Sequence, residues 1–212
     1  MQKIERPPIK TIIGLIPWEE KLTTYCQECE KGERIWRSSG DPYNILKKEL
    51  SILTLGHCSF CDGYPFSMST QTIEHYFPNA DFKEKTYEWD NLFLCCTKCQ
   101  NNANKIKPFQ YTLKPDEINY SFDAYFWLNA ENGRIEILEN IEEEKQIKTA
   151  NFLIRYGLND DLEVLNARRR LYQDLIKLIP IDPKRERSVE PNRFVIDAVI
   201  NFLGTRKIVY KR

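Results

Sequence analysis

The sequence predicts an α+β protein, mostly helical, in which a short cysteine-rich module lies between two helical regions. Three observations support this prediction. Apolar residues recur at helical spacing towards both ends, residues 56–112 are rich in Cys, Asn and aromatic residues, and two Cys-x-x-Cys pairs lie within that segment. The predicted division is an N-terminal arm with helices (1–55), the cysteine-rich module (56–112) and a C-terminal helical domain (113–212).

The overall composition excludes several classes of protein. The chain has 212 residues, with 31 basic and 31 acidic side chains, and is 42% hydrophobic and 12% aromatic. This excludes a uniformly basic, histone-like binder and a disordered acidic protein. Residues 1–8 carry charges and prolines where a signal peptide needs an apolar core, and no apolar run approaches the roughly 18 residues of a membrane span. We expect a soluble, cytoplasmic protein without a membrane partner.

Two helices are predicted in the N-terminal region. The first begins at Pro17-Trp18-Glu19-Glu20, because proline and acids favour a first helical turn. The second begins at Asp41-Pro42, with Asp41 as N-cap and Pro42 at the first helical position. Its predicted apolar stripe is Leu46, Leu50 and Leu53.

Three helices are predicted in the C-terminal region. They are residues 142–156, a helix capped by residues 159–161 and ended by Pro180 and Pro183, and residues 194–203. The expected C-caps of the first and last helices are Gly157 and Gly204. The expected core positions are Ile147, Ala150, Leu153 and Ile154 in the first helix and Leu162, Leu165, Tyr172, Ile176 and Ile179 in the second.

The two Cys-x-x-Cys pairs predict a structural zinc site. Cys58, Cys61, Cys96 and Cys99 supply four soft thiolates, the ligand set of a closed tetrahedral zinc site. The odd number of cysteines and the absence of a secretion signal argue against disulfides. The 34 residues between the pairs (62–95) exceed the roughly 15–20 of a simple zinc ribbon, so chemistry is expected in this insert. The alternative is that these are scattered core thiols.

The remaining cysteines and one histidine have plainer interpretations. Cys26 and Cys29 share one helical face, which favours packing over a second metal site. Cys95 is expected in the core, on the strand face opposite to Cys96. His57 is expected at the surface, the alternative being that its ring supports the neighbouring zinc ligand.

The insert carries a recognisable pattern. It contains Thr72-Ile-Glu-His-Tyr-Phe-Pro78 and Trp89-Asp-Asn-Leu-Phe-Leu94 between the two cysteine pairs. This set resembles the HNH endonucleases, whose active site is a ββα-metal finger, a short hairpin and a helix around one divalent ion. Within that family it is similar to the nuclease subunit of Septu anti-phage systems (PtuB-like). The opening at residues 3–8 and the tail, with residues 132–135, 157–159 and Arg168, resemble that subfamily more loosely.

The resemblance implies roles for three residues of the insert. His75 would be the general base, since neutral imidazole accepts a proton near neutral pH. Glu74 would offer a hard oxygen ligand to a catalytic Mg²⁺ or Mn²⁺, which would polarise the phosphate. Asn91 would hold the loop that carries His75 through hydrogen bonds to the main chain. Neighbouring strand residues point to opposite faces, so Glu74 and His75 can serve one phosphate only if the strand ends there.

The helix ligand of this ion departs from the family pattern. The family usually has His or Asn directly after the last Cys-x-x-Cys, whereas this chain has Gln100. We expect Asn104, and after it Asn101, to supply the amide oxygen, with Lys105 as the lysine that contacts substrate. The alternative is that the site has lost its affinity for metal.

Charge is unevenly distributed along the chain. Residues 131–163 carry nine acids and four bases, whereas residues 168–212 carry twelve bases and five acids. Such a region is commonly a solvated face and gives weak support for contact with nucleic acid. The candidate substrate contacts in it are Arg168, Arg170, Lys184 and Arg185.

The sequence therefore predicts a metal-dependent endonuclease that hydrolyses phosphodiester bonds, with DNA as the expected substrate. The resemblance implies a nuclease effector of antiviral defence that is controlled by an ABC/SMC-like ATPase partner. Two alternatives stay open. One is a zinc-stabilised binding subunit with an inactive nuclease centre, and the other is a nuclease that acts on RNA.

Overall fold

A computed structural model of the protein describes residues 2–64, 70–103, 112–181 and 190–205. Within these residues the regular elements are α1 (Glu19–Glu30), α2 (Tyr43–Leu53), β1 (Gln71–His75), β2 (Leu92–Cys96), α3 (Thr97–Ala103), β3 (Phe126–Leu128), β4 (Ile135–Ile137), α4 (Glu143–Arg155), α5 (Leu162–Leu178) and α6 (Arg193–Thr205). The α+β class is confirmed, and helices supply most of the regular structure. No helix in the described ranges combines the length and apolarity needed to cross a membrane.

The N-terminal helices lie close to where the sequence predicts them. A short 3-10 turn that contains Pro17 leads directly into α1. Helix α2 starts at Tyr43 with Pro42 as its N-cap, so the prediction of Asp41 as N-cap was wrong. Leu46 and Leu50 face the core as expected.

Helix α4 turns a different face inward from the one predicted. Ile147 and Ile154 are 49% and 54% exposed, and the buried positions are Thr149, Phe152 and Arg155. The ring of Phe152 packs against aromatic rings of the core, which fixes this rotation of the helix. One consequence is that Arg155, a charged residue, lies on the buried face.

The ends of the C-terminal helices agree only in part with the sequence. The C-cap of α4 is Tyr156, so the prediction of Gly157 was one residue late, and Gly157 follows the cap with a φ of 58°. Asp161 caps α5 by accepting hydrogen bonds from two main-chain N–H groups. Leu162 is exposed, because the buried face of α5 starts at Leu165. Helix α6 continues through Gly204 to Thr205, so Gly204 does not end it.

Strands β1 and β2 form an antiparallel hairpin that is the central layer of the fold. The register runs from Gln71 opposite Cys96 to His75 opposite Leu92, and α3 follows β2 without a break. All five residues of β2 are buried. Residues 92 and 94 pack into the core built by α1 and α2, and residues 93 and 95 pack into the core of the C-terminal helices. The predicted division at residues 55 and 112 stays a prediction, and both cores extend across it.

The N-terminal arm holds the hairpin from outside. The guanidinium of Arg6 lies 5.0 Å from the ring centroid of Trp89 and 4.6 Å from that of Phe93. It donates hydrogen bonds to the main-chain carbonyl of Trp89 and to the carboxylate of Asp116, at 2.8 and 2.6 Å. The arm therefore fastens the hairpin to the segment that follows residue 112.

Candidate functional site

The four cysteines of the two Cys-x-x-Cys pairs come together at one end of the hairpin. All four sulfur atoms lie within 4.8 Å of one another, and the Sγ atoms of Cys61 and Cys96 are 3.8 Å apart. A tetrahedral zinc ion with Zn–S bonds of about 2.3 Å separates its sulfur ligands by about 3.8 Å. The cluster of Cys58, Cys61, Cys96 and Cys99, here called the thiol cluster, can therefore hold a metal ion such as zinc.

Main-chain groups support negative charge on these sulfur atoms. The N–H of Cys96 donates to Sγ of Cys58 at 3.4 Å, and the N–H of Cys99 donates to Sγ of Cys96 at 3.5 Å. Burial raises the pKa of Cys58, but hydrogen bonds from the thiols of Cys95, Cys96 and Cys99 outweigh it and bring that pKa to about 5. Hydrogen bonds to the neighbouring thiols, Cys58 first, raise the pKa of Cys99 well above its usual value. The thiols alone thus favour partial ionisation, and a divalent cation would allow all four to be thiolates.

Arg168 is one predicted substrate contact that the structure contradicts. Its side chain is only 1% exposed, and Nη1 donates a hydrogen bond to the carbonyl of Leu158 at 2.7 Å. Burial lowers the pKa of Arg168 to about 10, while the charges of Cys61 and Cys99 act to raise it. Helix α5 turns this residue towards the interior, where its charge offsets that of the thiol cluster.

The other predicted basic contacts have different outcomes. Arg170 is exposed on α5, and its contact with substrate stays a prediction. Lys105, Lys184 and Arg185 lie outside the described residues, as does Asn104.

His57 is buried, so the expectation of a surface position was wrong. Its Nδ1 lies 3.0 Å from the carbonyl oxygen of Leu55 and its Nε2 lies 2.9 Å from that of Glu190. The ring also stacks on Tyr64, with 4.7 Å between centroids. His57 therefore secures the turn that presents Cys58 to the thiol cluster.

The three remaining cysteines pack within the protein. Cys29 and Cys95 are buried, and Cys26 is half-buried. In the described ranges, the thiol cluster is the single group of His, Cys, Asp and Glu side chains close enough to share a metal ion. Cys26 and Cys29 therefore belong to no such group there.

Glu74 and His75 line one cavity at the opposite end of the hairpin. They are the last two residues of β1, so the strict alternation of a longer strand does not separate them. The cavity, here called the acid–histidine cavity, has a volume of about 380 Å³. It is lined by Trp36, Ile73, Glu74, His75, Pro78, Asn79, Ala80, Gln100, Ala103 and Arg155.

The carboxylate of Glu74 is buried between an amide and a guanidinium. Oε1 lies 3.6 Å from Nη2 of Arg155, and the side chain also forms a hydrogen bond with Gln100. Burial raises the pKa of Glu74 to about 7, although Arg155 and Gln100 both act to lower it. The carboxylate therefore retains an incompletely compensated charge, which a further cation would stabilise.

The ring of His75 is held in a neutral state that suits a general base. Nε2 lies 2.9 Å from the carbonyl oxygen of Thr86, so it donates its proton there and leaves Nδ1 as the nitrogen with a lone pair. The edge of Trp36 contacts the ring, with 4.6 Å between centroids. Burial lowers the pKa of His75 to about 4, so the imidazole is neutral at pH 7.

Asn91 connects the two sides of the loop that follows β1. Its Oδ1 accepts from the N–H of Phe77 at 2.7 Å, and its Nδ2 donates to the carbonyls of Phe77 and Lys85 at 3.0 and 2.9 Å. Asn91 itself is fully buried, whereas its partners Phe77 and Lys85 are partly exposed. Asn91 thus holds the main chain next to His75 in the manner that the resemblance implies, and its contribution to catalysis stays a prediction.

Helix α3 presents Gln100, rather than Asn101, to the cavity. Nε2 of Gln100 donates to the carbonyl of Ile73 at 2.9 Å, which ties α3 to β1. Asn101 is exposed and is not among the lining residues, because the helical turn places Gln100 and Ala103 on that side. The choice of Asn101 as a metal ligand is therefore wrong for this geometry.

Two cavity residues were missed by sequence reasoning. Arg155 follows Phe152 by three positions in α4, so a charge on a buried stripe was the available signal. Trp36 lies in the connection between α1 and α2 and has no comparable signal, since only the fold brings it next to His75.

In comparisons with known proteins, no family model matches the chain, and no curated protein matches it at a significant level.

Proposed function

We propose that this protein is a metal-dependent endonuclease of the HNH type, which hydrolyses phosphodiester bonds in nucleic acid, with DNA as the first substrate to test. The observation that carries the proposal is the pairing of a neutral, buried His75 with a buried Glu74 at the end of a hairpin that leads into a helix. The same β1–β2–α3 unit carries the thiol cluster at its other end.

The residues of the cavity fit a hard divalent cation. Glu74 offers a carboxylate oxygen whose charge is incompletely compensated, and Gln100 offers an amide beside it. Such oxygen donors suit Mg²⁺ or Mn²⁺ better than zinc. When bound, such an ion supplies Lewis-acid stabilisation of the phosphate and of the departing 3′ oxygen.

The protein's own groups would act on the attacking water. Nδ1 of His75 accepts a proton from the water as its oxygen bonds to phosphorus, and the bond from phosphorus to the 3′ oxygen breaks. The hydrogen bond from Nε2 to Thr86 holds the ring in the required tautomer. Asn91 fixes the main chain on both sides of the loop that follows β1, so that His75 would keep its position.

The thiol cluster is proposed to hold one structural zinc ion. The hairpin and α3 together contribute 17 residues, too few to bury a core of their own. Zinc coordination would add the free energy that fixes the hairpin end and the start of α3.

We include a partner protein in the proposal, and its sole support is the resemblance to the HNH family. A nuclease that contacts mainly phosphate has little sequence specificity of its own and would need control. An ABC/SMC-like ATPase in a cytoplasmic anti-phage system would provide that control.

One observation favours a second candidate, a zinc-stabilised binding subunit with an inactive centre. Glu74 already has Arg155 and Gln100 as partners, so the site is partly satisfied without a cation. The position of His75 beside Glu74 in one cavity favours the nuclease, because a general base and a metal ligand must act on the same phosphate.

Plasmid cleavage tests the proposal. Supercoiled plasmid is incubated with the wild-type protein, His75→Ala and Asn101→Ala in Mg²⁺, Mn²⁺ and EDTA, and again with an ATPase encoded next to it, where there is one. A structured RNA serves as a parallel substrate. Metal-dependent nicking that His75→Ala loses by a factor of about 100 or more, and that Asn101→Ala keeps, would support the nuclease. Cleavage that survives His75→Ala, or no cleavage of either substrate by zinc-loaded protein, would contradict it.

A further inference from the structure

Arg155 is the one permanently charged cation among the described residues that line the acid–histidine cavity. It is the last residue of α4 and is nearly fully buried. Its Nη2 donates to the carbonyl of Tyr76 at 3.3 Å and lies 3.6 Å from Oε1 of Glu74. The guanidinium therefore contacts main chain and side chain on the two sides of His75.

A brace between α4 and the hairpin does not by itself require a guanidinium. Phe152, one turn earlier, already fixes the inner face of α4 by packing against Phe60 and Phe126. Burying an ion pair costs desolvation free energy that an apolar side chain of similar volume avoids. The charge of Arg155 is therefore kept at the cavity at a cost, where it lies beside Glu74 and can also face an anion that enters.

The charges in the cavity favour a cation of the protein itself beside Glu74 when a phosphodiester enters, in addition to the proposed divalent ion. A phosphate next to the carboxylate of Glu74 would place two negative charges at close range. The guanidinium of Arg155 adjoins that carboxylate and can offset the repulsion. Its planar fork of N–H groups matches the geometry of phosphate oxygens, which a lysine does not.

We propose that Arg155 is a phosphate-binding residue of this cavity, which holds the non-bridging oxygens of the phosphodiester next to His75. The inference rests on the proposed function and deepens it, because it makes the site composite. The β1–β2–α3 unit supplies Glu74 and His75, and the C-terminal helical region supplies the group that grips the substrate.

Binding of dimethyl phosphate tests the inference without any cleavage. This small phosphodiester is titrated in Mg²⁺ and followed by the width of its ³¹P resonance, with full-length wild-type protein, Arg155→Gln, Arg155→Lys and Arg134→Gln. Arg134 is the matched control, because it is exposed in the connection between β3 and β4 and does not line the cavity. Circular dichroism confirms that each variant is folded.

We expect wild type and Arg134→Gln to bind dimethyl phosphate with the same affinity. Arg155→Gln should bind at least about tenfold more weakly, because a charge-assisted hydrogen bond is lost, and Arg155→Lys should lie between them. The inference would be overturned if wild type, Arg155→Lys and Arg155→Gln bound dimethyl phosphate with equal affinity. It would also be overturned if wild type did not bind it. Where Arg155→Gln does not fold, Arg155→Lys and the ¹⁵N guanidinium signal of wild type, which should shift on adding dimethyl phosphate, decide the matter.

The plasmid assay separates this inference from the proposed function. Binding that depends on Arg155 in a protein that cuts no nucleic acid would sustain the phosphate site and remove the nuclease. Cleavage that depends on His75 but is unchanged in Arg155→Lys and Arg155→Gln would support the nuclease and remove the phosphate-binding role of Arg155.

Discussion

The thiol cluster and the acid–histidine cavity lie at opposite ends of the same hairpin, whose two strands have five residues each. Cys96 pairs with the first residue of β1, and His75 pairs with the first residue of β2, so the two sites are about 13 Å apart along the strands. The thiol cluster draws four identical soft ligands from two local motifs, and it is closed and buried. The cavity combines an acid, an imidazole and an amide with a guanidinium from a distant helix. A closed set of ligands suits a structural role, whereas a mixed and incompletely compensated set suits chemistry.

Loss of one thiol should produce the largest effect. If the cluster holds zinc as proposed, Cys96→Ser should lose that zinc and leave the chain largely unfolded, since structural zinc contributes about 10 kcal/mol or more, comparable with the whole stability of a domain. Metal analysis and circular dichroism measure both outcomes. Cys26→Ser is the control, because Cys26 is half-buried and outside the cluster. A metal-free wild-type protein that unfolds at an unchanged temperature would remove the structural role.

The acid–histidine cavity should make the free energy of unfolding depend on pH. Because the pKa of Glu74 is raised from 4.5 to about 7 in the folded protein, the stability that it contributes is present below pH 4.5 and is lost as the pH rises through 7. Glu74→Gln should therefore gain up to about 3 kcal/mol relative to wild type between pH 4.5 and pH 8. Urea unfolding at both pH values measures this difference. His75 is present in both proteins, so its opposite dependence cancels. A difference that does not change with pH would contradict the burial of an ionising carboxylate.

The affinity of the cavity for a cation should depend on the ionisation of Glu74. A cation that binds the carboxylate of Glu74 displaces its proton, so the affinity for Mn²⁺ should rise about tenfold per pH unit up to about pH 7 and then level off. Calorimetric titration of zinc-loaded protein measures this dependence, with Glu74→Gln as the variant that should lack it. The same slope in both proteins would place the Mn²⁺ ion elsewhere.

Asn91→Ala should have a smaller effect, confined to the loop beside the cavity. It leaves two main-chain carbonyls and one N–H without their present partner, but Phe77 and Lys85 are partly exposed, so water can replace part of what is lost. The expected cost is about 1–3 kcal/mol in total. Thermal unfolding should show the loss, while zinc content stays at the wild-type level. Loss of zinc in this variant would mean that the two ends of the hairpin are not independent.

The sequence predicts most where the required information is local. Two Cys-x-x-Cys pairs define the thiol cluster, because the two cysteines of each pair are only three positions apart in the sequence. The buried face of α4 was mispredicted, because apolar spacing alone favoured Ile147 and Ile154 whereas packing of Phe152 decided the rotation.

Long-range contacts are where sequence reasoning fails. Arg155 and Trp36 reach His75 and Glu74 only through the packing of α4 and of the α1–α2 connection on the hairpin. Arg168 was wrongly placed at the substrate, because a count of basic residues does not show which of them the fold turns inward.

The contacts of Arg6 with the hairpin imply an order in which they form as the chain is synthesised. Arg6 is made before two of its partners, Trp89 and Asp116, which follow 83 and 110 positions later. Chains generally fold as they emerge, with early segments first. The arm therefore lacks Trp89 until 83 further residues have been added, and it lacks Asp116 until 110 have been added. These contacts thus form late relative to the synthesis of the arm, and a bulky group that holds the arm away would leave the outer side of Trp89 and Phe93 uncovered.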